Sequence, residues 1–234
     1  MTESRFSSNR RGTDARRTNA APGDKRERIL RAAVKVFAKK GFFASRVSEI
    51  AKAAGVADGT IYLYFKSKDE VLTSLFEDRM SRLLDVMRSE IEKLPTAPDR
   101  IRRLIELQLG LLEGERDLAE VVTVNLRQST KLLKQYAARR FMEYLELMAS
   151  VIAEGQQKGE LRVDVSPRIM ARAIFGALDG IALTWALGTH EAGGLHRAAG
   201  QLSDVLLAGL VKAAESAPNA RDDDGHSRDR RHTG

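Results

Sequence analysis

The sequence predicts an all-α protein, and three observations predict it. Apolar residues recur at helical spacing from about residue 25 to 215, no alternating strand pattern of useful length interrupts them, and a hydrophobic share of 43% over 234 residues supplies one generous core or a small and a medium one. With 30% charged residues the composition is that of a globular chain for most of its length, and no internal repeat is present.

Residues 1–23 are rich in Ser, Arg, Asn and Gly, with Phe6 as their only aromatic. They cannot bury enough apolar surface to order themselves and are expected to form a disordered basic arm. The first helix carries Ile29, Ala32, Ala33, Val36 and Phe37 and stops before Lys39-Lys40-Gly41, where the glycine offers a C-cap. A shorter stripe, Val47, Ile50, Ala51 and Ala54, makes the second helix, with Ser45 as its expected N-cap and Gly55 at its end. A third short helix is expected over 58–65. From Lys68 a long amphipathic helix runs through Leu72, Leu75, Phe76, Met80, Leu84 and Met87 to Pro95. Further helices are expected at about 98–113, 116–129, 131–158, 166–188 and 195–215. Residues 217–234, with mixed charge and little apolar content, are expected to be a disordered tail.

Charge divides the chain unevenly. The first 23 residues carry a net +3, residues 24–68 a net +7, and the remainder a net −3. A positive excess confined to the N-terminal third points to a polyanion as partner. The same third holds two short helices joined by Ala-Gly-Val, the layout of a helix-turn-helix: Gly55 permits the turn and Val56 plugs the angle between the helices. Ile61 and Phe65 are four apart and face inward, which leaves Thr60, Tyr62, Leu63 and Tyr64 toward the outside. A tyrosine hydroxyl donates to phosphate oxygens, Gly59 lets the backbone approach a groove, Thr60 and Leu63 meet thymine methyls, and Lys66 and Lys68 neutralise phosphates.

Catalysis finds no support. There is no cysteine, P-loop, dinucleotide fingerprint or nucleophile elbow, and His190 and His196 flank Gly193-Gly194 without the HExxH spacing. No catalytic or metal-binding residue is expected. The N-terminus lacks the apolar core of a signal peptide, and no later segment reads as an uninterrupted apolar run of membrane-spanning length, so a cytoplasmic protein without membrane contact is expected.

The run Ile29-Leu30-Ala32-Ala33 through Phe37-Gly41-Phe42, then Val47-Ile50-Ala51-Ala54-Gly55-Val56, then Gly59-Thr60-Ile61-Tyr62-Tyr64-Phe65-Lys68, resembles the DNA-binding domain of TetR-family transcriptional regulators. Two positions depart from the family pattern. Arg46 stands where a Thr commonly caps the second helix, so Ser45 is expected to cap while Arg46 takes the phosphate. Ala57 replaces a capping Ser, leaving Asp58 as the expected cap, although an Asp can also accept from cytosine N4. The resemblance implies a helix-turn-helix DNA-binding domain at 24–68 and a helical ligand-binding and dimerisation domain at 69–216. It also implies a homodimer on a palindromic double-stranded operator. The expected DNA-contact set is Ser45, Arg46, Val47, Ala57, Asp58, Gly59, Thr60, Tyr62, Leu63, Tyr64, Lys66 and Lys68.

In the larger domain, RIMARAIFGALDGIALTWALG is apolar on more than one face, and Gly176, Ala177, Gly180 and Ala182 permit close helix approach. With the stripe Leu202, Val205, Leu206, Gly209 and Leu210, it suggests two helices per subunit in a four-helix dimer interface. A hydrophobic small-molecule effector would lie among residues 100–160 and the inner face of 166–188, lined by Leu104, Leu107, Leu111, Val121, Val122, Leu126, Phe141, Leu145, Met148, Phe175 and Trp185. "VADGTIYLYFKSKDEVLTSLF", "LRQS" at Leu126–Ser129, "GELR" at Gly159–Arg162 and "IFGALDGIALTW" at Ile174–Trp185 are similar to the acyl-CoA-responsive repressors of fatty-acid degradation within that family. That resemblance implies a long-chain acyl-CoA effector, with Arg103, Arg127, Lys131 and Lys134 meeting its phosphates and Asp179 near the pocket. A TetR-type repressor of an efflux pump that responds to a drug-like ligand is the alternative.

Overall fold

The structure, a computed structural model, describes residues 22–125, 138–188 and 191–211 of the 234. Within them the order of helices is α1 (Pro22–Lys40), α2 (Val47–Ala54), α3 (Asp58–Tyr64), α4 (Lys68–Ile91), α5 (Ala97–Gly114), α6 (Arg116–Glu120), a single π-helical turn (Val121–Asn125), α7 (Ala138–Gln157), α8 (Pro167–Leu187) and α9 (Gly194–Leu210). The fold is all-α, as the apolar periodicity predicts.

Helices α1 to α3 pack around one core. Ile29, Ala33 and Phe37 of α1, Ile50 and Ala51 of α2, Ile61 of α3, Phe65 just beyond it, and Leu72 and Leu75 of α4 are buried together. Helix α3 has only seven residues and could not hold itself together in water. Burial of Ile61 and Phe65 supplies about 3–6 kcal/mol that fixes it in place. The turn before it depends on Gly55, whose φ of 65° is left-handed. The Ala54 carbonyl beside it accepts from Arg28 Nη2 at 2.7 Å, so α1 clamps the turn directly.

The larger core is built by α4, α5, α7, α8 and α9. Leu84 and Met87, Ile101, Leu104 and Ile105, Met148 and Ile152, Ile174 and Leu178, and Leu207 are buried in one cluster. Gly155 lets α7 approach the start of α5: a Cβ there would lie 2.5 Å from Ala97 Cβ and 2.8 Å from Leu161 Cδ1. The end of α9 is tied to the segment after α7 by Arg162 N–H donating to the Leu210 carbonyl at 2.9 Å.

Helix α4, helix α6 and the π turn, through Val121 and Val122, belong to both cores. Helix α4 gives Val71, Leu72 and Leu75 to the first and Leu83, Leu84, Met87 and Ile91 to the second. In α6, Leu118 is buried in the first core while its neighbour Ala119 is buried in the second.

Several boundaries differ from expectation. Helix α1 begins at Pro22, within the expected arm, because proline at a first helical position gives up no hydrogen bond. Of the helix expected over 116–129, the described part, to Asn125, is α6 and a π turn, in which Thr123 Oγ1 donates to the Ala119 carbonyl at 2.6 Å. The helix expected to reach 215 ends at Leu210, where Val211 turns to extended backbone and bridges to Leu161. One described helix, α8, is long and apolar enough to cross a membrane by length and composition, although Arg168, Arg172 and Asp179 interrupt its apolar run. In this fold one of its faces is core, with Ala171, Ile174, Leu178, Ala182 and Ala186 buried.

Candidate nucleic-acid interface and effector domain

The outer face of the helix-turn-helix is formed by α3. Asp58, Gly59, Tyr62, Leu63 and Lys66 are exposed, with Tyr62 at 58% and Leu63 at 81%, while Ile61 and Phe65 are buried. An exposed phenol and an exposed leucine at adjacent positions, on the side of α3 opposite its buried Ile61, make a surface that fits a groove. Thr60 is half-buried beside them. Arg46 and Ala57 are exposed at the starts of α2 and α3, and Val47 is half-buried.

Four expected contacts are placed differently. Ser45 is buried, not capping, because its hydroxyl donates to the Gly41 carbonyl at 2.6 Å and so ties the connection back to the end of α1. The N-cap of α2 is Arg46, and Glu49 Oε2 accepts its backbone N–H at 3.0 Å. The Glu49 carboxyl is held below its ordinary range, first by the hydrogen bond from Lys40 and then by that backbone N–H. Asp58 is not the cap of α3 but its first residue; Ala57 occupies the cap position and gives no side-chain bond. A carboxylate there still opposes the positive end of the helix dipole.

Lys68 does not stand free for a phosphate. Its ammonium donates to three backbone carbonyls, Phe42 at 2.7 Å, Ser45 at 2.8 Å and Phe43 at 3.2 Å, and lies 4.6 Å from the Phe42 ring centroid. An ammonium has three donors, and all three are used. Tyr64 is half-buried and packs against the first core, its ring tilted against Phe65, so it is only marginally part of the outer surface. Sequence reasoning overlooked Phe43, which is 66% exposed on the same connection, edge-on to the buried Phe42. Phe42 and Phe43 are adjacent and chemically identical, and the turn geometry buries one and exposes the other.

In the larger domain the structure brings together Phe141, Tyr144 and Phe175. Phe141 and Phe175 meet edge to face at 4.7 Å, and Tyr144 meets Phe175 at 5.9 Å. Leu104, Leu145 and Met148 are fully core, while Leu107, Leu111 and Val122 are half-buried around it. Tyr144 was not singled out from the sequence. Its hydroxyl donates to Gln108 Oε1, and burial pushes the phenol well above its ordinary value. A tyrosine within an apolar helical stripe gives no sign that it carries a buried polar pair.

Trp185 lies elsewhere. It is ten residues beyond Phe175, about 15 Å along α8 by helical rise. Its indole N–H donates to the Glu191 carbonyl at 3.3 Å, and its ring packs on Gly194 at the corner between α8 and α9. Asp179 is half-buried in α8. Arg103 is held by Glu90, with Nη2 at 2.8 Å and Nε at 3.1 Å from one carboxylate oxygen, and also by Glu106 at 3.3 Å. In the structure it bridges α4 and α5. Leu126, Arg127, Lys131 and Lys134 lie outside the described residues.

Helices α8 and α9 present a second apolar face away from the core. Ile169, Ala173, Gly176, Gly180 and Leu187 are exposed along α8, and Val205, at 72%, with Gly209 along α9. At the domain junction, Arg79 of α4 pairs with Glu115 just before α6 at 3.3 Å, its side chain only 18% exposed.

Comparisons with known proteins bear on both halves. Residues 29–75 match the model for bacterial regulatory proteins of the tetR family, and residues 76–209 match the C-terminal region of YsiA-like proteins. The fatty acid metabolism regulator protein of Bacillus subtilis is 40% identical over 159 residues, which is 68% of this chain and 82% of that one. The crystal structure of the transcriptional regulator FadR from Bacillus subtilis in complex with stearoyl-CoA superposes with a TM-score of 0.75 at 36% identity, covering 78% of this chain and 98% of that one. The fatty acid degradation regulator FadR from Bacillus halodurans gives 0.77 at 35% identity, covering 81% and 98%.

Proposed function

Because the chain belongs to the tetR family of bacterial regulatory proteins, as a transcription regulator and not an enzyme, we propose that it represses fatty-acid degradation genes as a homodimer and leaves its operator when long-chain acyl-CoA binds. The observation that carries this reading is the 40% identity to a fatty acid metabolism regulator across both domains. The likeness to a stearoyl-CoA complex supports the effector class, and the Phe141–Tyr144–Phe175 cluster supplies apolar surface suited to an acyl chain. That combination favours an acyl effector over a drug-like one.

In this reading Tyr62, Leu63, Lys66 and Arg46 face duplex DNA. The second apolar face of α8 and α9 meets its copy in a twin, which places two recognition helices about 34 Å apart on one side of the operator. The same dimer contact accounts for an apolar α8 without a membrane.

The signal passes through elements shared by the two cores. A ligand shifts DNA affinity only by binding one conformation better than another. Expansion around Phe175 displaces α4 and α6, and both carry side chains buried in the helix-turn-helix core. The Arg79–Glu115 pair ties those two elements together, so they move as one.

The test is thermodynamic reciprocity. Palmitoyl-CoA affinity is measured calorimetrically with and without DNA from the protein's own promoter, and operator affinity with and without palmitoyl-CoA. The two ratios must agree. Palmitoyl-CoA affinity that is identical in both states rules the reading out.

A further inference from the structure

Among the described residues of the helix-turn-helix domain, Phe43, Tyr62 and Leu63 are the large apolar side chains that stay exposed. Tyr62 and Leu63 lie on α3. Phe43 lies outside the recognition helix, on the connection between α1 and α2, with most of its ring open to solvent.

That connection is fixed at every step. Gly41 closes α1 in the left-handed region, at φ 76°, and its N–H donates to the Phe37 carbonyl at 2.8 Å. Phe42 then turns inward and meets Phe37 edge to face at 5.4 Å. Ser45 is buried, its hydroxyl bonded to the Gly41 carbonyl, and the Lys68 ammonium gathers the carbonyls of Phe42, Phe43 and Ser45. With Phe42 and Ser45 held inward on either side, the Phe43 side chain is directed out. A ring presented on a fixed backbone gives up little conformational freedom when a surface docks against it.

From this placement we infer that the Phe43 ring packs against a deoxyribose of the operator, beside the phosphates met by Arg46 and Lys66. The inference rests on the DNA-binding reading and adds to it a sequence-independent contact made from outside the recognition helix.

The neighbours of the ring set the chemistry of its partner. Arg46, exposed at the start of α2, is three residues further on, so its Cα lies within about 11 Å of that of Phe43. Lys66 is exposed two residues before Lys68, whose Nζ is 3.2 Å from the Phe43 carbonyl oxygen. Cations on both sides select an anionic partner, and an apolar ring among them selects one with apolar surface between its charges. A duplex backbone has that alternation, phosphate followed by the C–H edge of a sugar.

Position decides between sugar and base. In a helix-turn-helix the first helix crosses the backbone while the second enters the groove, so a residue just ahead of α2 meets the backbone. An anionic bilayer also combines charge with apolar surface, but Phe43 adjoins the surface that Arg46, Tyr62 and Leu63 present to the duplex. A homodimer would make the contact twice, once in each half-site.

The test uses the full chain and a duplex from the protein's own promoter. Fluorescence anisotropy across a salt series compares wild type with Phe43→Ala and Phe43→Leu, hydroxyl-radical cleavage maps the sugars covered at saturating protein, and circular dichroism checks folding. Phe43→Ala should lower operator affinity by roughly tenfold for the dimer, by the same factor at every salt concentration, because no phosphate contact is lost. Phe43→Leu, which keeps an apolar group there, retains most of the affinity. In the Phe43→Ala complex one sugar per half-site that wild type protects becomes open to cleavage.

Equal affinity and an unchanged cleavage pattern in Phe43→Ala overturn the sugar contact and leave the DNA-binding reading intact. A loss of affinity that comes with a lower melting temperature or a lower salt slope places Phe43 in the support of the fold or of a phosphate contact, and overturns it as well. Binding to phosphatidylglycerol–phosphatidylcholine vesicles that needs Phe43, while operator binding does not, assigns the ring to a membrane surface instead. A wild type that does not prefer its promoter to unrelated duplex ends both readings.

Discussion

Lys68→Met separates a phosphate-neutralising lysine from a structural one. Substitution removes an ammonium that donates to the Phe42, Phe43 and Ser45 carbonyls and rests on the Phe42 ring. The Phe43 bond is exposed, so water replaces it at little cost, whereas the bonds to Phe42 and Ser45 are partly buried. Two partly buried carbonyls left without a donor cost about 1–1.5 kcal/mol each at the lower end of the desolvation range, and loss of the ring contact adds about 0.5 kcal/mol. The sum is about 3 kcal/mol, or a fall of about 6–12 °C in melting temperature for a chain of this size. Both are measured by circular dichroism at one fixed protein concentration, since the proposed dimer would make the midpoint concentration-dependent. Fluorescence anisotropy with promoter DNA across a salt series gives the second readout. Lys68→Met should leave the slope of log affinity against log salt unchanged below its melting point, while Lys66→Met lowers that slope by about 0.9 and leaves stability alone. A Lys68→Met protein with wild-type melting and a slope reduced by one phosphate would refute the clamp.

Tyr62→Ala should weaken operator binding by roughly 5–10-fold, about 1 kcal/mol, with melting unchanged because the side chain is mostly exposed; anisotropy together with thermal melting checks this. Tyr144→Phe leaves Gln108 without its donor and should cost about 1–3 kcal/mol at neutral pH, read by urea denaturation. The same substitution alters the alkaline limb. The phenol is raised by burial above its ordinary 10.0, so the stability it contributes is fully present below pH 10 and is lost as pH rises beyond it. Wild type should therefore lose stability above pH 10 more steeply than Tyr144→Phe, in a melting series from pH 8 to 11.5. Val205→Glu places a charge on the exposed apolar face of α9; sedimentation velocity should find monomer, and operator affinity should fall by about 100-fold or more.

The sequence by itself determined the all-α class, the helix-turn-helix and the inward-facing set Ile50, Ile61 and Phe65, because helical periodicity and the Ala-Gly-Val turn are local properties of neighbouring residues. It also determined that Tyr62 and Leu63 point outward, since their inward partners fix the rotation of a short helix. The tertiary structure alone decided what each cation touches. Lys66 and Lys68 are two residues apart and chemically identical, yet one is exposed and the other is spent on three carbonyls contributed by a connection more than twenty residues earlier. Arg103 is bound by Glu90 across a helix pair for the same reason. Arg82 of α4 meets Glu27 of α1 in the same way, a pairing that no spacing along the chain encodes. Burial patterns repeat with the helix and can be read in one dimension, whereas the partner of a long charged side chain is chosen by whichever distant backbone or carboxylate the folded chain brings within 3 Å.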